Sequence, residues 1–169
     1  MLDYVHGKGI CGKFEDMIPW IERQLADSDI LIVGYGNVGH NLEKELSKLK
    51  PDIYDKYQKF DTRQKDKYHI AFICVTTPRN EKSVCDASEV YDAILNNDAD
   101  IYVIKSTVLP GITDKLCEKT GKKIIFSPEY YGNTQHCNNY EFNFTTLGGD
   151  KESCKEVIQV LQKVYDGRH

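Results

Sequence analysis

Three glycines, Gly34, Gly36 and Gly39, follow the apolar run Ile30-Leu31-Ile32-Val33, and Asp55 lies 21 residues after the first of them. The chemistry this pattern suits is capture of a diphosphate. Gly34 permits a tight turn, Gly36 lets backbone approach a pyrophosphate with no side chain between, and Gly39 lets the following helix lie close to its strand. The helix start then offers N–H groups and the positive end of a dipole to the phosphates. Asp55 is placed to accept hydrogen bonds from ribose hydroxyls and would repel a 2'-phosphate, which favours NAD over NADP. Lys56, directly after it, weighs against that preference. Glycines also cluster in turns for structural reasons alone, and a structural turn with a surface Asp55 is the alternative.

Three further segments follow apolar runs: Cys74-Val75-Thr76-Thr77-Pro78, Lys105-Ser106-Thr107-Val108 and Ser127-Pro128-Glu129-Tyr130-Tyr131. At the carboxyl ends of parallel strands, all three open on the edge where α/β sheets bind ligands. Hydroxyls of Thr76, Thr77, Ser106 and Thr107 can bond to a nicotinamide ribose or carboxamide, and Glu129 can orient a water or a substrate hydroxyl. Taken singly, each segment has a structural alternative, since Ser and Thr cap helices and Pro-Glu makes turns. The cofactor-binding set drawn from these segments is Gly34, Tyr35, Gly36, Asn37, Val38, Gly39, Asp55, Val75, Thr76, Thr77, Pro78, Ser106 and Thr107.

The elements that must position these groups are legible as alternating periods. Strand-like runs occur at 30–33, 52–54, 69–75, 101–104, 124–126 and 144–147. Between them, Val38, Leu42, Leu46 and Leu49 recur at helical spacing until Pro51. Asp86 is placed as an N-cap with Glu89 able to bond back to it, ahead of Val90 and Ile94. Pro110 and Gly111 open another helix that Gly121 ends, and Asp150 caps a last one carrying Val157, Val160, Leu161 and Val164. Alternation of this kind predicts an α/β fold, a doubly wound parallel sheet of about six strands of the Rossmann type. The charged stretch 55–67 reads as a solvated connection.

Residues 1–28 stand apart as an extension in which Phe14, Ile18, Ile21 and Leu25 share one helical face, so the chain divides into that appended N-terminal helix and a nucleotide-binding domain over 29–169. Gly7 to Phe14 approaches a P-loop, but Phe14 stands where a hydroxyl residue would hold magnesium and no strand precedes it. A net charge of -4 without a basic stripe argues against nucleic acid. Apolar runs too short for a membrane span and the lack of a secretory pattern make the expected location cytoplasmic. The six cysteines then read as free thiols. No metal site is expected, because His136 and Cys137 have no second ligand at a suitable spacing.

Taken in order, "VTTP", "DAS" at Asp86 to Ser88, "KSTVLPGIT" and "SPEYY", behind the glycine turn, resemble the UDP-glucose/GDP-mannose (nucleotide-sugar) dehydrogenase family. The ending "FTTLGGDKESCKEVIQVLQKVY" resembles the close of that family's cofactor domain, so the likeness runs from about residue 29 to 166. It implies an NAD-binding domain from enzymes that oxidise a sugar C6 alcohol to a carboxylate. On that basis Thr107 sits by the reacting centre, and Glu129 acts near the substrate and the hydrolytic water. Asn133 stands where the family places a second glutamate, and an amide can hydrogen-bond but cannot take a proton. Thr76 replaces the first proline of the family's turn.

The family's substrate half, with its nucleophilic cysteine, has no counterpart in these 169 residues. The resemblance therefore implies a chain incomplete for catalysis by itself, binding a dinucleotide and, with a second chain carrying the other half, a nucleotide sugar. Monomer or weak homodimer is the expected state. Two alternatives stand beside this: a non-catalytic nucleotide-binding or regulatory module, and a small complete oxidoreductase using Glu129, His40 or His136 as base.

Overall fold

The computed structural model describes residues 29–79, 85–129 and 145–164. The expected N-terminal helix and near-P-loop, together with Tyr130, Tyr131, Asn133, His136 and Cys137, lie outside the described residues.

In chain order the elements are β1 (Ile30–Val33), α1 (Asn37–Glu45), a 3-10 turn (Ser47–Leu49), β2 (Asp52–Asp55), β3 (Phe60–Asp61), β4 (Lys67–Ile73), α2 (Ser88–Leu95), β5 (Asp98–Ile104), α3 (Ile112–Thr120), β6 (Lys123–Phe126) and α4 (Lys151–Gln162). They build one six-stranded sheet in the order β3-β2-β1-β4-β5-β6. All pairings are parallel except β2 with β3. The chain leaves β1 toward β2 on one side and later returns to β4 on the other, which makes the β1/β4 boundary the switch point where such sheets open a crevice.

Alternation along the strands divides the core between two faces. Ile30, Ile32, Ile70, Phe72, Ile101 and Val103 pack with Leu42 and Leu46 below α1 and with Val157 and Leu161 of α4. Leu31, Val33, Ala71, Ile73, Tyr102 and Ile104 pack with Val90, Ala93 and Ile94 of α2 and Leu116 of α3. Burial on both faces is what a parallel sheet with helical crossovers requires, and it accounts for near-continuous runs such as Ile101-Tyr102-Val103-Ile104, all fully buried.

Local chemistry sets the helix ends. Gly111 at φ +80° precedes α3, and Gly121 at φ +68° ends it, donating its N–H to the Cys117 carbonyl at 2.8 Å. Asp150 accepts from the Ser153 N–H at 2.9 Å at the start of α4.

Three expectations are corrected. Of the strand expected at 144–147, the described residues 145–147 form none: Gly148 makes an isolated antiparallel bridge to Phe126, with two hydrogen bonds of 2.8 Å. Gly149 at φ +143° then turns the chain into α4, which leaves no length for a ladder. The place is taken by β3, inside the stretch read as a solvated connection, where Thr62 clasps Ile53 through its N–H (2.9 Å) and its hydroxyl oxygen (2.8 Å). Finally, the capping box at Asp86 does not form. Asp86 accepts from the Ser88 N–H at 2.9 Å ahead of α2, while Glu89 turns its carboxylate to Lys56 and Tyr57. The ammonium brings a full opposite charge to that carboxylate, and the Asp86 N–H is already given to the Pro78 carbonyl at 2.8 Å.

Candidate functional site

The glycine turn joins β1 to α1 with little tolerance at two positions and open space at the third. Gly34 has φ +94°, and a Cβ there would lie 2.8 Å from the Cys74 carbonyl carbon and oxygen. A Cβ on Gly39 would sit 2.1 Å from the Gly34 carbonyl oxygen, so the first turn of α1 rests directly on the strand exit. A Cβ on Gly36 would meet nothing within 4 Å. Bare backbone beside a helix start, with room in front of it, fits a pyrophosphate.

Asp55, buried at the end of β2, anchors this turn. Its Oδ2 accepts from the Tyr35 N–H at 2.7 Å, and its Oδ1 accepts from the N–H groups of Tyr57 and Gln58, each at 2.8 Å. Burial acts to raise the carboxyl, but the N–H groups of Tyr35, Gln58 and Tyr57 outweigh it and hold Asp55 below its ordinary value. The carboxylate thus organises the turn from inside, and the second lone pair of Oδ2 is the acceptor left for a ribose hydroxyl. Since the folded carboxyl titrates below the unfolded one, its stabilisation is complete above about pH 4 and is lost as pH falls through the folded value. Asp55→Asn replaces one acceptor oxygen with a donor facing an N–H. We expect it to cost about 1–3 kcal/mol and to remove that acid-range dependence, as read by urea melts at pH 3 to 7.

Gln58 Nε2 donates to the Tyr35 carbonyl at 2.8 Å, and the Tyr35 ring stacks on His40 (3.7 Å between centroids) and Phe60 (5.2 Å). His40 Nδ1 lies 2.9 Å from the Gly36 carbonyl oxygen. Both are contacts that fasten the turn, and they give His40 a local structural role.

A cleft of about 770 Å³ opens beside the turn, bordered by Val33, Gly34, Gly36, Tyr54, Asp55, Val75, Thr76 and the α2 residues Glu89, Asp92 and Ala93. Of the predicted cofactor residues, Gly34, Gly36, Asp55, Val75 and Thr76 border this cleft, and the loops carrying Thr77, Pro78, Ser106 and Thr107 leave the same edge of the sheet. Thr76, Pro78 and Thr107 are exposed, and Val75 and Thr77 are half-buried. Ser106 differs. It is buried, and its hydroxyl points to the carbonyls of Val75 (2.7 Å) and Ile73 (3.2 Å), so its proton holds two loops together. The Cys85 thiol donates to the Thr107 carbonyl at 3.2 Å, tying a third loop to the group.

Glu129 is paired with a residue the sequence reading passed over. Lys105 Nζ lies 3.0 Å from Glu129 Oε2, with side chains only 10% and 11% exposed, and 3.3 Å from Ser127 Oγ. Its place beside Ser106 in the "KSTV" segment was the available signal. Arg63, over the Tyr54 ring at 3.9 Å and bonded to Asn97 Oδ1 at 3.0 Å, was also missed, together with Tyr54 and Asn97 in the cleft wall. Cys74 lies just below Lys105 and Glu129. Burial pushes its thiol up to about 12, with the Lys105 charge acting against that and the Glu129 charge adding to it. A thiol so placed is a core residue and not an activated nucleophile. Cys117 and Cys154 pack against the two core faces. Among the described residues no three His, Cys, Asp or Glu side chains converge as a metal ion would need, and no helix is long and apolar enough to cross a membrane.

A parallel sheet with a glycine turn at its switch point, an acid at the end of β2 and hydroxyl-bearing loops on the same edge defines a dinucleotide-binding α/β domain. The particular family follows from the sequence match: residues 36–167 match the UDP-glucose/GDP-mannose dehydrogenase family, NAD binding domain, and the chain belongs to that family. Its cofactor is NAD. No curated protein matches the chain.

Solved structures agree on the fold. A UDP-glucose dehydrogenase from the hyperthermophilic archaeon Pyrobaculum islandicum superposes with TM-score 0.63 at 16% identity, over 81% of this chain and 44% of that one. NDP-N-acetyl-D-galactosaminuronic acid dehydrogenase from Methanosarcina mazei Go1 gives 0.60 at 17% identity, over 88% of this chain and 44% of that one. GDP-mannose dehydrogenase from Pseudomonas aeruginosa gives 0.56 at 19%, over 80% and 44%. The chain therefore spans less than half the length of these structures.

Proposed function

We propose that this domain holds NAD across the glycine turn and the cleft beside β2, and presents its nicotinamide to the C6 alcohol of a nucleotide sugar gripped by residues from outside these 169. The carrying observation is the open space in front of Gly36, flanked by the start of α1 and by buried Asp55. In this reading Thr76, Thr77 and Thr107 contact the nicotinamide ribose or carboxamide. Glu129, kept in place by Lys105, and Asn133 hydrogen-bond the sugar or the water that attacks it. NAD supplies the hydride acceptor; the chain supplies orientation and charge.

The state of the thiols favours a coenzyme-presenting role for these residues over complete catalysis. Among the described residues, Cys74 is buried with its thiol pushed up to about 12, Cys85 gives its thiol hydrogen to the Thr107 carbonyl, and Cys117 and Cys154 serve as packing groups. A regulatory module that binds NAD without chemistry is the second reading, supported by the same observation.

Saturating NAD or NADH is expected to raise the melting temperature, since ligand at about one hundred times its dissociation constant stabilises by about 2.7 kcal/mol. An unmoved melting temperature at millimolar cofactor would count against both readings. NADH formation from UDP-glucose or GDP-mannose only when a chain carrying the substrate half is added would select the first.

A further inference from the structure

Lys56 follows Asp55 directly, yet its ammonium is turned away to α2. Its Nζ lies 2.7 Å from Asp92 Oδ2 and 2.8 Å from Glu89 Oε2. Tyr57 completes the arrangement: its hydroxyl donates to Glu89 Oε1 at 2.7 Å, and its ring lies 5.0 Å from the ammonium. All four side chains border the same cleft as Gly34, Gly36 and Asp55. Stability gives a weak account of the cluster, because the side chains are partly open to solvent (Lys56 37%, Asp92 46%, Glu89 24% exposed) and such pairs contribute little.

We propose that Glu89 and Asp92 are cofactor-specificity residues, which hold Lys56 against α2, away from the 2' position of the adenosine ribose, and leave that end of the cleft negatively charged. The inference rests on the reading that a dinucleotide occupies this cleft. Three carboxylates, Asp55, Glu89 and Asp92, face one ammonium there, an excess of two negative charges. Arg63 also borders the cleft, but its charge is matched by Asp61, 2.7 Å away. A phosphate monoester carries between one and two negative charges at neutral pH, so a 2'-phosphate meets repulsion and, among the described residues that border the cleft, only cations already paired with carboxylates. A ribose 2'-hydroxyl is neutral and is indifferent to the excess. The pyrophosphate is common to both dinucleotides, so the ratio of their affinities isolates the 2' position. Removing two like charges several ångströms from a phosphate, in largely aqueous surroundings at low salt, changes affinity by about tenfold.

The test compares dissociation constants for NADH and NADPH, by nicotinamide fluorescence at low salt, in the native chain, in Glu89→Gln/Asp92→Asn, and in that variant with Lys56→Ala added. The native chain is expected to prefer NADH. The double variant should narrow the preference by about tenfold through tighter NADPH binding, an effect that shrinks as salt is raised. Adding Lys56→Ala should give back about threefold of that gain, since one of the two charge changes is reversed. Should the double variant not fold, each single substitution is expected to narrow the preference by about threefold. An unchanged ratio in a variant that still binds NADH overturns the assignment and leaves the dinucleotide reading intact. A gain that persists in full without Lys56 overturns the part given to Lys56. If the native chain binds neither dinucleotide, the reading of the cleft fails and the assignment with it.

Discussion

Gly39→Ala is expected to lower the melting temperature by about 10 °C, from a loss of about 3 kcal/mol, whereas Gly36→Ala should leave it nearly unchanged and weaken NADH binding. The two substitutions add the same methyl group to neighbouring positions of one turn, so their contrast separates fold from function. At position 39, helix propensity alone favours alanine by about 1 kcal/mol. The added carbon, however, would stand 2.1 Å from the Gly34 carbonyl oxygen and 3.1 Å from its carbonyl carbon. Those atoms are backbone and cannot rotate aside, and the Gly34 N–H is itself fixed to the Tyr54 carbonyl at 2.8 Å. Relief requires lifting α1 off the sheet, which opens the contacts of Leu42 and Leu46 with Ile32 and Phe72. The clash therefore outweighs the propensity. At position 36 the methyl meets no protein atom within 4 Å, and φ is -80°, an ordinary value for alanine. It projects instead into the space proposed for the pyrophosphate, and a single misplaced methyl in a fitted site costs on the order of tenfold to a hundredfold in affinity. Thermal melts together with NADH titration of both variants read the contrast.

The second large effect is expected from Lys105→Met, a loss of about 3–5 kcal/mol, because it removes the ammonium held 3.0 Å from the nearly buried Glu129 carboxylate. Both groups are nearly buried, and that is what distinguishes this pair from the exposed ones at the protein surface. Solvent does not replace the lost ammonium, and Ser127 loses a donor as well. Glu129→Gln in the same background removes the offending charge and should recover a large part of the loss. The double-mutant cycle then gives the coupling, expected to exceed about 1 kcal/mol for groups in contact. Denaturant melts of the four proteins measure it; additivity would show that Lys105 and Glu129 act separately.

Much of the scaffold was legible because its signals are local. Ile30 to Val33 is too short for a core helix, and the glycines that follow stop it abruptly. Gly111, Gly121 and Asp150 sit at helix ends where their chemistry requires them, and the structure uses each as expected. What the sequence hides are contacts between distant residues. β3 is a two-residue strand with both side chains exposed, so it carries no apolar period; it exists because Thr62 reaches Ile53. Glu89 sits three residues after Asp86, a spacing that offers a capping box, and nothing local announces that Lys56, 33 residues earlier, takes it instead. Ser106 looked like a ligand for the cofactor because of its neighbours in the motif, and the structure shows its proton directed to the backbone of β4 and the loop beyond. Lys105 was visible as part of the same motif, but its partner Glu129 is 24 residues away on the next strand's exit.

The central claim is that the carboxyl edge of the sheet, at the glycine turn and Asp55, receives the dinucleotide. Titration of the isotope-labelled chain with NAD, followed through backbone amide shifts, tests it residue by residue. Saturable shifts at Gly34, Gly36, Gly39 and Tyr35, with His69, Lys123 and Glu156 at the opposite edge unmoved, are the predicted result. Shifts confined to that opposite edge, or none at millimolar NAD, would contradict it.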